Sequence, residues 1–131
     1  MKNLIVTNND RLLSVEAMME RYFKVVLVDG NLKEVVEISR NYLMADYQLA
    51  ADPLSCRRER PTPYLTIILE PKNVQKDNTA RDILSVEKFN AMFNANEKIL
   101  GQIPEDHKKD FGLIDYSLTL AVCDKILSVL R

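Results

Sequence analysis

The most constraining feature of this chain is how it begins. Two short apolar runs rich in β-branched residues are each stopped by a polar turn and each followed by a helical pattern. Lys2-Asn3-Leu4-Ile5-Val6-Thr7 stops at Asn8-Asn9-Asp10, and Lys24-Val25-Val26-Leu27-Val28 stops at Asp29-Gly30. Runs of this kind predict buried strands. Between them, Leu12, Leu13, Val15, Met18 and Met19 predict a helix of about three turns. Asn8, Asn9 or Asp10 would cap it, because a side-chain oxygen can accept the orphan N–H groups of a first turn. After the second run, Leu32, Val35, Val36 and Tyr42 mark a helix spanning Asn31 to Leu43. Such a β-α-β-α opening implies parallel strands joined by right-handed crossovers.

The remainder is less regular. Tyr47-Gln48-Leu49-Ala50 predicts a weak third strand. It leads into Asp52-Pro53-Leu54-Ser55-Cys56-Arg57-Arg58-Glu59-Arg60-Pro61-Thr62-Pro63, whose prolines forbid helix and remove ladder donors. Tyr64 to Leu69 predicts a strand, and the lack of a helix before it leaves an antiparallel placement open. Pro71 to Ala80 reads as a polar connector. A helix then spans Asp82 to Leu100, with Asp82 or Ser85 as cap and Gly101 past its end. Pro104 opens a further helical piece that Gly112 is expected to interrupt. The last helix, Asp115 to Leu130, carries Leu118, Ala121, Val122, Ile126 and Val129 as one stripe, widened by Leu120 and Leu127. So broad an apolar arc suggests a second surface, a partner protein or a second copy of the chain. The expected fold is a single α/β domain over 1–131. It would have a small, mostly parallel sheet of about four strands flanked by helices, in a Rossmann-like three-layer arrangement.

Composition narrows the function. Eighteen Lys and Arg stand against 19 Asp and Glu, a net charge of −1, without the basic excess that nucleic-acid binding usually needs. No apolar run approaches about 18 residues, and residues 1–10 lack a secretory pattern. The expectation is therefore a cytoplasmic protein that binds neither membrane nor nucleic acid. Cys56 and Cys123 have no metal or disulfide spacing, and His107 is the sole histidine, so no metal or cofactor is expected. Gly-rich nucleotide fingerprints are missing as well.

In open α/β sheets, ligands bind beyond the carboxyl ends of the parallel strands. That rule selects Thr7-Asn8-Asn9, Asp29-Gly30 and the segment from Asp52 to Tyr64. Arg57, Arg58 and Arg60 place three fork-shaped donors within four positions of a proline-braced loop, a pattern suited to a phosphate or carboxylate. Asp52, Ser55 and Tyr64 would add polar groups. Against this stand plainer roles: a solvated loop, an Asp52 turn, a Gly30 chosen for positive φ, and a Tyr64 ring packed under the loop. Cys56 beside two arginines would favour its thiolate, but no histidine lies near it in sequence.

Leu4-Ile5-Val6-Thr7-Asn8-Asn9, Val28-Asp29-Gly30, Asp52-Pro53-Leu54-Ser55 and Thr62-Pro63-Tyr64 together resemble the GrdX family, small proteins encoded with the glycine reductase system of amino-acid-fermenting anaerobes. The resemblance is close over about the first seventy residues. It implies a bacterial, cytoplasmic accessory protein and supplies no catalytic residues. Family members often carry a histidine where this chain has Asp52, so no role of that histidine transfers. Arg57–Arg60 also depart from the family wording. The leading expectation is an accessory or binding protein holding a small anionic ligand, or a partner's acidic surface, at loop 52–64. The alternatives are a small enzyme using Asp52 or Cys56, and an oligomeric scaffold built through the last helix.

Overall fold

The computed structural model describes residues 1–53, 62–73 and 77–130. Among these, four strands form one sheet: β1 (Asn3–Thr7), β2 (Phe23–Leu27), β3 (Tyr47–Leu49) and β4 (Thr66–Pro71). The α-helices are α1 (Leu13–Met19), entered through a 3-10 turn at Asp10–Leu12, then α2 (Leu32–Leu43), α3 (Thr79–Leu100) and α4 (Glu105–Leu130). The α-helical part of the first helix is shorter than its apolar residues predict, and Leu13 and Met18 are exposed.

Strand order is β2-β1-β4-β3. β1 and β2 pair in parallel, with Ile5 opposite Val25. β4 pairs antiparallel with both β1 and β3. The sheet is therefore mixed, which corrects the expectation of a mostly parallel one and removes support for a Rossmann-like order. The cause lies in the connections. Parallel neighbours need a long crossover, usually a helix; α1 and α2 provide one, whereas no helix occurs between β3 and β4 among the described residues. β3 thus points the same way as β1, but β4 fills the slot between them.

Pleating divides the core. Leu4, Val6, Ile67 and Leu69 face α2 and α3, meeting Leu32, Val35, Val36, Val86, Phe89 and Phe93. Ile5, Phe23, Val25 and Ile68 face α1 and α4, meeting Leu12, Val15, Cys123 and Leu127. Both edge strands are guarded by a carboxylate. The Val25 N–H of β2 donates to Glu16 Oε1 of α1 at 3.1 Å, and the Leu49 N–H of β3 donates to Asp82 Oδ2 of α3 at 3.0 Å. Asp82 is thus not the cap expected of it. It lies inside α3 and is buried against the sheet edge.

α4 departs furthest from expectation. It runs unbroken through Gly112, so the two predicted helical pieces are one helix. The side it buries is Gly112, Asp115, Thr119, Cys123 and Leu127, recurring every three or four positions. Ala121 and Val129 of the expected stripe are exposed instead. The sheet end beneath α4 presents the hydroxyls of Thr7 and Thr66, so the helix must meet it with polar and small residues. No helix of the described residues is long and apolar enough to cross a membrane.

At the start of α3, Asn78 occupies the cap position without a side-chain cap bond. The preceding Asp77 accepts the Thr79 N–H at 3.1 Å. Hydrogen bonds from the Thr79 backbone and then its hydroxyl, with the charge of Lys72 a smaller cause, hold the Asp77 carboxyl below its usual value of 3.8. A carboxyl ionised more readily in the folded chain contributes stability above its unfolded pKa and loses it as pH falls through the folded one. Asp77→Asn is therefore expected to lower the urea midpoint at about pH 7. The difference from the parent should shrink as pH falls below the usual value of 3.8 and vanish only below the lowered folded pKa. A gap that persists in acid would assign the effect to something other than the charge.

Candidate functional site

The alternation that turns Ile5 toward α4 also turns Thr7 there, at the last position of β1. Its antiparallel partner is Thr66, the first residue of β4. The two hydroxyls lie 2.8 Å apart, and Thr66 Oγ1 donates to Asp115 Oδ2 at 2.7 Å. A hydroxyl has one proton, so Thr7 must be the donor to Thr66. Thr7 in turn accepts the Asn9 N–H at 3.0 Å. A single direction of donation therefore runs from Asn9 through both threonines to a buried carboxylate. The Asn9 side chain closes the loop. Its Nδ2 donates to Asp115 Oδ2 at 3.0 Å and to the Gly112 carbonyl at 2.8 Å, while its Oδ1 accepts the Arg11 N–H and so caps the 3-10 turn.

Asn8 acts on the other side of the same turn. Its Nδ2 donates to the Gly30 carbonyl at 3.1 Å and to the Pro63 carbonyl at 2.9 Å, and its Oδ1 accepts the Leu65 N–H at 2.9 Å. One amide thus joins the exit of β1, the exit of β2 and the entry to β4. The Val28 N–H adds a bond to the Thr7 carbonyl at 2.7 Å, and Thr62 Oγ1 accepts the Tyr64 N–H at 3.2 Å.

The residues selected from sequence separate accordingly. Asn8, Gly30 and the stretch from Thr62 to Leu65 come together. Asn8 and Asn9 commit both of their amide protons to holding the chain. Gly30 does not adopt a positive φ, which corrects the reason expected for it; its contribution is a carbonyl. Its missing side chain also makes room for Glu34, whose carboxylate occupies the space a Cβ would take. Asp29 is exposed. Asp52 is exposed beside a groove of about 430 Å³ that Leu49, Ala51, Arg81 and Asp82 also line, at the outer edge of β3. Tyr64 is half-buried, with its ring against Gly112. Ser55, Cys56, Arg57, Arg58 and Arg60 lie outside the described residues.

Sequence reasoning missed Thr66, Asp115, Gly112 and Arg11, and it picked out Thr7 only as the start of the Thr7-Asn8-Asn9 segment. One signal pointed to two of them: Gly112 and Asp115, with Thr119 after them, are small or polar residues at helical spacing within an otherwise apolar helix. Cys123, on the same side, is fully buried, and His107 is exposed in the first turn of α4. Among the described residues, no three His, Cys, Asp or Glu side chains converge as metal ligands would.

A family model described as GrdX-like protein matches residues 4–124. No curated protein and no solved structure matches the chain.

Proposed function

This chain belongs to the GrdX-like protein family, and from that membership we propose that it is a non-catalytic accessory protein whose loop 52–64 receives an anionic group. The group would be a phosphate or carboxylate, on a small metabolite or on a partner's acidic surface. The setting implied by the family resemblance is the bacterial cytoplasm, beside a glycine reductase system.

The observation that carries this reading is the three-way bond of Asn8, which fixes the exit of that loop to the ends of β1 and β2. The entry is held as well, because Pro53 is buried. A loop anchored at both ends loses less entropy when it closes on a ligand. Arg57, Arg58 and Arg60 supply donors matched to oxyanions in charge and shape. Asn8 and Asn9 serve as supports in this account, and no ligand contact is asked of them.

Calorimetric titration with phosphorylated and carboxylated metabolites tests it, using the full chain and the variant Arg57→Ala/Arg58→Ala/Arg60→Ala. Charge-assisted bonds contribute about 1.5–3 kcal/mol each, so the triple variant should bind at least tenfold more weakly. Equal affinity in the two proteins would remove the loop from the account.

A further inference from the structure

A cation the loop reading did not include stands at the same end of the sheet. Arg11 closes the 3-10 turn after β1, and both of its backbone groups are held. Its N–H donates to Asn9 Oδ1 at 3.2 Å and its carbonyl accepts from Ser14 Oγ at 2.9 Å. The outer arm of its side chain lies against α4 at Gly112. A Cβ built on Gly112 would lie 3.4 Å from Arg11 Nε and 3.6 Å from its Cδ, and 3.3 Å from Tyr64 Cε2. The absent side chain of Gly112 is therefore a notch in α4 in which the arm of Arg11 and the ring of Tyr64 rest side by side. Asn9 binds the Gly112 carbonyl and keeps that notch against the turn.

Arg11 as a residue is exposed. The ion pairs among the described residues are Arg40–Glu87, Arg81–Asp82 and Lys108–Glu105, and no side-chain hydrogen bond of Arg11 occurs among them. Arginine is usually placed where its fork meets an oxyanion. An arginine whose arm packs against a helix loses less rotamer freedom on binding than a free one. The acids at this end of the sheet are Asp10, exposed in the same turn, Asp115, buried and bound by Asn9 and Thr66, and, on the β2–α2 side of Asn8, the exposed Asp29 and Glu34, which folds over Gly30.

We propose that Arg11, seated in the Gly112 notch beside the Tyr64 ring, is a fixed recognition residue for the phosphate or carboxylate group of a small molecule. The proposal rests on the anion-binding reading of this end of the sheet, and adds a binding residue that is rigid and independent of the loop arginines.

The test uses the full ¹⁵N-labelled chain, with inorganic phosphate as probe and acetate in a parallel arm. The Arg11 Nε–H resonance should shift saturably with at least one of the two, which also separates tetrahedral from planar anions. Arg11→Ala should weaken that binding at least tenfold, and Arg11→Lys should recover only part of it because a point charge lacks the fork. Gly112→Ala should weaken it severalfold while the circular dichroism stays unchanged, because only the notch is filled. Parent-like affinity in Arg11→Ala overturns the proposal, even if the triple loop variant loses binding; in that case the loop reading survives alone. Loss in Arg11→Ala with full binding in the triple variant supports the proposal and removes the loop. A silent Arg11 resonance with both probes overturns it as well.

Discussion

Asn9→Ala is expected to destabilise the protein by about 3–4 kcal/mol, a large effect for one small turn residue. Asn9 is 1% exposed. Its removal takes an acceptor from the Arg11 N–H and donors from the Gly112 carbonyl and the Asp115 carboxylate. The cost is high because the partners stay buried after the asparagine is gone, and a buried carboxylate that loses a donor has no water to replace it. Asn9→Asp keeps the shape but sets a second carboxylate 3.0 Å from Asp115 Oδ2. It should be at least as damaging at neutral pH. Urea unfolding measures both, and thermal melting should show a drop of roughly 10–15 °C for Asn9→Ala. A loss below about 1 kcal/mol would mean that the hydrogen-bond circuit does not operate in solution.

Phe89→Ala should cost about as much or more, roughly 3–5 kcal/mol. Phe89 is 1% exposed and lies where α3 meets α2 and the sheet, in one cluster with Val35, Val36, Ile67 and Leu69. Truncation loses the transfer energy of the ring and leaves a cavity between two helices and a sheet, which cannot all relax into it. Phe89→Leu fills most of that space and should cost less than about 1.5 kcal/mol. Equal losses in the two variants, measured from urea midpoints with unchanged slopes, would show that the site collapses freely. That result would contradict the close packing of this layer.

The contrast between these residues shows what the sequence makes legible. The Phe89 layer is readable because apolar spacing alone places Val86, Phe89 and Phe93 on one side of a helix. The same holds for β1, β2 and α2, down to Asn31, whose side chain accepts the Glu34 N–H. Local chemistry decides those features. The slot taken by β4 depends on where a connection between strands lands, and no residue near β4 encodes it. α4 was misread for a related reason. Leucines and isoleucines suggest an inward stripe, but the Thr7–Thr66 pair they would have met lies far away in sequence. At the candidate site, Asn8 and Asn9 were located correctly as the turn after β1. Their amides read as helix caps or ligand contacts until Pro63, Leu65, Gly112 and Asp115 are brought to them by the fold.

The two carboxylates at the rims of the sheet have a consequence for the life of the protein among its own copies. A bare strand is a template, and a chain made at high concentration risks zipping onto its neighbours through it. Here the Val25 and Leu49 N–H groups are already engaged by Glu16 and Asp82. An incoming strand would have to displace a carboxylate to pair with either of these N–H groups. A short four-stranded sheet still carries two flanks, and this one has a carboxylate drawn across each.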